Sequence, residues 1–370
     1  MALGDISTLL VWGAATAFTI ALIAYTSALA RLADAASAEH RAERAARVAA
    51  AKQARAAARE TVGAGGPAGL VVPADADDAA PPRASGRIDD AEPERPMTAP
   101  RATTGIARTT TYLGILLLGV GIVLRGVAAG RWPTANMYEF TLVGTFVAAV
   151  VLAVVQRRRV IPFLGVVVMG IGVLALALGL LVFFVQADAV QPALQSYWLI
   201  IHVGVAIAAT GIFTVAFATA VLQVLQDGRE TGRSHLDHPW RSADGLRRAL
   251  ARWRVTGPAF SWLRTVPSAR RLEALSFRLN AIGFVLWTFT LIGGAIWAEH
   301  AWGRYWGWDP KEVGTFVAWV VYAAYLHART TRGWAGRKAA YFVYVGYAVV
   351  LANFTVVNLF VDGKHSYSGL

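Results

Sequence analysis

The 370 residues include no cysteine, so neither a disulfide nor a thiolate metal site can form. Any metal chemistry falls to the seven histidines, to carboxylates or to the backbone. Charge is scarce as well: 16% of residues are Asp, Glu, Lys or Arg, against 56% hydrophobic, and the mean hydropathy is +0.47. One water-soluble domain cannot hide that much apolar surface. No small-residue cleavage site follows the first apolar run, Leu9 to Ala30, which reads as a retained span rather than a signal peptide. No internal repeat is visible, which argues against a stacked-repeat architecture.

What the chain does have is a series of long apolar runs. A bilayer core about 30 Å thick needs about 20 apolar residues per helix. The expected fold is all-α, a polytopic membrane bundle with about eight transmembrane helices. These are placed at residues 8–30, 109–129, 137–155, 160–185, 195–226, 277–298, 312–328 and 339–360. The net charge of +12 suggests nucleic acid at first sight, but its placement argues otherwise. With the 297–312 loop facing outward, regions 31–108, 157–159, 227–278 and 329–338 carry 12, 3, 11 and 4 Lys/Arg. Only Arg125, Arg131, Arg304, Lys311 and Lys364 remain for the other side. Thirty against five is a positive-inside pattern, with both termini outside and no nucleic-acid partner.

Residues 1–30 read as the first transmembrane helix and 31–108 as a cytoplasmic segment. Within it, 31–60 is an Ala-rich helix with Arg41, Arg44, Arg47, Lys52, Arg55 and Arg59 on one side. Residues 61–108 are Gly/Pro/Ala/Asp-rich and aperiodic, the composition of a disordered linker. The first helix is therefore expected to be tethered to a working body at 109–370. In the cytoplasmic loop 227–276, "HLDHPW" brings His235, Asp237 and His238 together without the closed ligand set zinc requires. Segment 241–256 suits an amphipathic helix at the inner interface.

The densest chemistry lies in "WAEHAWGRYWGWDPKE", residues 297–312. An interfacial aromatic belt accounts for an isolated Trp132 or Trp198. It accounts poorly for Trp297, Trp302, Trp306 and Trp308 with Tyr305, which together suit a platform for a large planar ligand, each ring covering roughly 150–250 Å². Asp309, Pro310 and Glu312 form a capping box that opens the next span. Arg304 and Lys311 either pair with carboxylates on a ligand or snorkel to the interface. Three histidines stand near spans: His202 in "SYWLIIHVG", His327 in "YAAYLHAR" and His365 in "VDGKHSYSGL". Ionisable groups there are costly and point to function, and imidazole is a natural axial ligand of haem iron. His202 and His365 suit a clamp on one iron; His327 lies at another depth and needs a ligand from elsewhere. His300, inside the loop, is a rival for the outer position.

The loop resembles the tryptophan-rich WWD signature of haem-handling membrane proteins that assemble c-type cytochromes. More narrowly, the chain is similar to the CcsA/ResC family of the system II pathway, whose actinobacterial members are often labelled CcsB. The resemblance covers about 109–370. It rests on "WGRYWGWDPKE", "YLHAR", "GWAGRKAA", "GKHSY" and the "WPTANMYEF" stretch at 132–140. It implies His202 and His365 as external haem ligands and His327 as a histidine within the membrane. The ligand opposite His327 would come from a separate ResB/CcsB-type partner. It also implies contacts to haem from Trp297, Trp302, Arg304, Tyr305, Trp306, Trp308, Asp309 and Lys311, with no catalytic residue identified.

The activity so implied is transport of haem b to the outer face of the plasma (inner) membrane. There it would be attached to the Cys-x-x-Cys-His motif of an apocytochrome c, as half of a holocytochrome c synthase complex supplied by thiol-reductant proteins. A haem exporter without ligation activity and a quinone-binding redox subunit are the readings from other classes. Two departures stand out: Gly314 replaces the family's usual tryptophan, which predicts a looser platform edge, and "GKHSY" replaces "GLHSY", setting Lys364 beside His365.

Overall fold

The computed structural model describes residues 2–63, 101–187, 196–234, 236, 238, 239, 244–331 and 333–364. The expectations placed on most of the linker, on His235 and Asp237, and on His365 lie outside the described residues. Among those described, every regular element is helical: α1 (Leu3–Gly63), α2 (Arg101–Ala129), α3 (Met137–Val155), α4 (Pro162–Leu181), α5 (Tyr197–Glu230), α6 (Asp244–Ala249), α7 (Ala269–Trp302), α8 (Pro310–Thr331), α9 (Arg337–Phe354) and α10 (Val356–Phe360). Two 3-10 stretches, Leu250–Trp253 and Pro258–Thr265, separate α6 from α7.

Seven helices, α1 to α5, α7 and α9 continuing into α10, are long and apolar enough to cross a membrane. The eighth expected span, α8, is 22 residues long but mixes its apolar residues with Tyr, Trp, Thr and His. It nevertheless runs antiparallel along part of α7. The Trp287 indole donates to the Thr315 carbonyl at 3.0 Å, and Arg329 meets Glu273 at 2.9 Å. Fourteen residues separate those contacts on each helix, about 21 Å of matched antiparallel rise. Among the described residues the architecture is an up-and-down bundle of eight long helices, and the chain is a multi-pass membrane protein.

The sequence from Ala14 to Val62 holds neither Gly nor Pro, and alanine favours helix. The first span and the Ala/Arg-rich stretch accordingly form one helix. Its membrane part is packed into the bundle, where the composition of the linker predicted a tether. Phe18 and Tyr25 are buried against α2 and α4. The Tyr25 ring lies where a Cβ at Gly165 would sit 2.4 Å away, the close approach that small residues allow between membrane helices. Tyr25 Oη donates to Gln156 Oε1 (3.3 Å) and Ser7 Oγ to the Gly121 carbonyl (2.7 Å). Beyond Ser37, which bonds Ser261 at 2.9 Å, the described positions of α1 are largely exposed. Helix α2 begins at Arg101, ahead of the predicted 109, because Ala107 and Thr103 are buried.

The expected amphipathic helix at 241–256 is replaced, over its described part, by the short α6, which buries nothing, and a 3-10 turn. The segment that anchors this loop is Pro258–Thr265, whose Trp262 is buried and stacks on Phe163 (5.4 Å, 16°). At the same end Arg337 pairs with Asp227 (2.7 Å) and Gln223 donates to the Gly336 carbonyl (3.1 Å). The start of α1, packed on α2, lies at the opposite end, as do the turns at 130–136 and 303–309 and Lys364.

Candidate functional site

At that opposite end the bundle opens into a cavity with about 1220 Å³ of empty space, counting the part open to solvent. Helix α5 starts at Ser196, whose Oγ accepts the Trp198 N–H (3.3 Å), and its second turn carries His202 to the cavity wall. The facing part of α7 reads "TLIGGAIW", where Gly293 admits the His202 backbone and Gly294 the imidazole. A Cβ at Gly294 would lie 2.7 Å from His202 Cε1.

The Thr290 carbonyl, 2.8 Å from His202 Nδ1, can only accept. Nδ1 therefore carries a proton, which in the neutral imidazole leaves the lone pair on Nε2. A backbone carbonyl fixing one imidazole nitrogen is the usual support of a metal-binding histidine. One turn on, the Trp297 ring lies parallel to the imidazole (6.2 Å, 8°), and Trp302 meets Trp297 edge-on at 4.8 Å.

Helix α7 ends at Gly303, in the left-handed conformation (φ 67°) with its N–H on the Glu299 carbonyl. The next residues turn back through Tyr305 and Trp306, both on the cavity wall. Trp308 holds the left-handed region at φ 58°, a cost of about 1–3 kcal/mol for a non-glycine residue. It is 71% exposed and packs edge-on against Trp306 (5.8 Å). The expected capping box is present: Glu312 Oε2 accepts the backbone N–H of Asp309 (3.0 Å) and of Gly307 (2.8 Å).

Of the expected contact residues, Trp297, Tyr305, Trp306 and Lys311 line the cavity with His202. Trp302 stands behind Trp297, with the Arg304 guanidinium 5.5 Å and the Lys364 ammonium 5.7 Å from its ring. Arg304 also pairs with Glu312 (3.4 Å). The Lys311 ammonium donates to the Asn353 carbonyl (2.7 Å) and to Asn358 Oδ1 (2.8 Å). Burial lowers it to about 7, although Asp309 pulls the other way. Neither Asp309 nor Trp308 is on the cavity wall. His300 is half-exposed and bonds the Ile296 carbonyl of its own helix (2.8 Å), away from the wall. His327 lies on the exposed face of α8, eighteen residues or about 27 Å of helix beyond Asp309. His202 and His327 therefore belong to different ends of the bundle.

Sequence reasoning missed the remaining walls: Asn136, Met137 and Phe140 from the head of α3, Trp287 and Thr290 from α7, and Thr315 and Asn353 from α8 and α9. The one signal for them was the "WPTANMYEF" stretch. There Glu139, fully buried, accepts from Arg125 Nε (2.9 Å), from Arg131 Nη1 (2.7 Å) and from the Ala135 N–H (2.8 Å). Asn136 Oδ1 caps the Glu139 N–H at 2.9 Å. Arg125 also donates to the Val185 carbonyl (2.8 Å) and lies 4.6 Å over the Tyr138 ring. One carboxylate thus ties the end of α2, the 130–136 turn and the head of α3 around the cavity rim.

The profile of the cytochrome C assembly protein family matches residues 134–365, which takes in the whole cavity. The chain is similar to the cytochrome c biogenesis protein CcsA of Parasynechococcus marenigrum (strain WH8102), 34% identical over 72% of this chain and 88% of that protein. It is also similar to those of Synechococcus sp. (strain CC9902), 34% identical over 71% and 86%, and Prochlorococcus marinus (strain MIT 9515), 31% identical over 72% and 85%. A membrane bundle whose matched region supplies this cavity, and whose relatives span most of their own length, belongs to the cytochrome c assembly family and is of the CcsA type.

Proposed function

We propose that the cavity holds haem for covalent attachment to apocytochrome c, with His202 and His365 as the two axial ligands. The observation that carries this reading is His202, its Nδ1 anchored on the Thr290 carbonyl and its ring parallel to Trp297 on the wall of an aromatic-lined cavity open to solvent. The aromatic walls suit a flat macrocycle, which Trp297, Trp306 and Tyr305 would cover by burying apolar area. His327, at the far end and exposed, would ligate haem with a histidine from a ResB/CcsB-type partner before the haem passes to the cavity. The thirty-to-five Lys/Arg asymmetry supports an extracytoplasmic position for the cavity end at the plasma membrane.

Haem b is the transported substrate. The chain's own contribution to ligation is to hold the macrocycle in one orientation. The vinyl groups then meet the thiols of a Cys-x-x-Cys-His segment at near-attack distance. Each addition is redox-neutral: a C–S bond forms at one vinyl carbon and a proton adds to the other. The thiols must arrive reduced, which calls for a thiol-reductant pathway upstream. The apocytochrome's own histidine would replace one cavity ligand, coupling release to product formation.

The test is the absorption spectrum of the chain purified with its partner. His202→Ala should lose the low-spin bands of the cavity haem while those of the haem held at His327 remain, and added imidazole should restore the lost bands by filling the vacated position. Full low-spin haem in His202→Ala without imidazole would overturn the assignment. Covalent haem on an apocytochrome co-expressed with only this chain and its partner separates a synthase from an exporter.

A further inference from the structure

We infer that Asp309 and Lys311 are positioning residues that fix the backbone leading up to Lys364, the residue before the proposed ligand His365, an inference that rests on the ligand reading above. Helix α9 breaks at Thr355 and resumes as α10, which strands two carbonyls at the break. The Lys311 ammonium takes the Asn353 carbonyl (2.7 Å) and also holds Asn358 Oδ1 (2.8 Å). Asn358 Nδ2 takes the Phe354 carbonyl (2.8 Å). The first turn of α8 is thereby fastened to the bend from which the chain's last segment departs.

The second fastening lies nine residues further along the chain, at its return to the same turn. Asp309 Oδ1 accepts the backbone N–H of Lys364 at 2.7 Å, while Oδ2 accepts the Lys311 N–H at 3.3 Å. A Cβ at Gly363 would stand 2.9 Å from Asp309 Oδ1, so the backbone passes in direct contact with the carboxylate. Asp309 is itself 7% exposed and rigidly held, since its backbone N–H is bound by Glu312. The next residue in the sequence is His365. Both side chains of the "DPK" turn therefore act on the chain leading to that histidine. An aspartate that served only as a helix cap would have no need to reach Lys364.

Two variants separate the roles. Asp309→Ser keeps a good N-cap but is too short to reach Lys364. Lys311→Met keeps the bulk and loses the donor. Each is compared with His365→Ala in the full chain purified with its partner, by haem content and by the low-spin bands with and without imidazole. Asp309→Ser and Lys311→Met are expected to weaken haem retention roughly 10–100-fold, the usual effect of removing a group that orients a metal ligand. Imidazole at millimolar concentration should recover the low-spin spectrum in both, as in His365→Ala. If His365→Ala loses the bands while both variants keep them, the positioning role is wrong and the ligand reading stands. If the variants lose haem and imidazole restores nothing, the two residues support the fold or the cavity wall instead, and the inference also fails. If His365→Ala itself keeps full low-spin haem, the ligand reading is the one that falls.

Discussion

Gly314 shows what a single residue can and cannot disclose. Its departure from the family's usual tryptophan is visible in the sequence and predicts a loosened platform edge. The structure instead fills the space from α9: a Cβ at Gly314 would lie 2.4 Å from Asn353 Oδ1, and Asn353 Nδ2 donates to Thr315 Oγ1 (3.0 Å). Gly314→Ala should therefore cost about 1–3 kcal/mol by overpacking, measured as a fall in the thermal midpoint of the detergent-purified protein. Adding Asn353→Ala should return most of the overpacking loss, whereas additive losses would show that the two positions do not share the space. Lys311 makes a pH prediction at the same scale. Between about 7 and 10.5 the unfolded chain holds a proton that the folded chain has released, so this residue makes stability rise with pH across that window and flattens it below. The thermal midpoint should climb from pH 7 to 9 more steeply in the wild type than in Lys311→Met. Equal slopes would remove Lys311 as the source.

At the scale of elements, the rim of the cavity depends on one buried carboxylate. Glu139 answers two guanidinium groups and a backbone N–H, so Glu139→Ala leaves Arg125, 2% exposed, without its charge partner. Breaking a buried pair in this way costs about 3–5 kcal/mol. The loss should appear as a lower midpoint together with faster hydrogen exchange across the 130–137 turn. A stability within ~0.5 kcal/mol of wild type would show that the clamp is dispensable, since that is the range of neutral surface changes. The helices themselves were legible, because apolar run length is a strong signal, and so was the capping box at Asp309. The ends of α2 and α7 were not, because they extend through polar residues whose helicity depends on packing. Docking of α1 was equally hidden: Phe18 and Tyr25 look like any lipid-facing aromatic until Gly114 and Gly165 receive them.

At the scale of the whole molecule, the bundle has one basic end and one cavity end, and orientation is open to direct test. The absence of native cysteine makes a single introduced thiol an unambiguous reporter. In intact cells Tyr305→Cys should react with a membrane-impermeant maleimide, and Arg158→Cys only after permeabilisation. The reverse pattern would turn the cavity toward the cytoplasm and remove the proposed role. Separation of His202 and His327 to opposite ends also makes their losses distinguishable, since variants of the two should affect spectrally separable haem sites.

The sequence by itself determined the all-helical membrane character, the charge asymmetry and the aromatic loop with its capped turn. Each of these depends on composition or on residues within a turn or two of one another. Only the tertiary structure decided which rings face the cavity and which face solvent, what anchors His202, and how α3 and α9 complete the walls. Those outcomes depend on contacts between helices far apart in the chain, where a bare glycine backbone or an orphaned carbonyl on one helix selects the side chain that fills it from another.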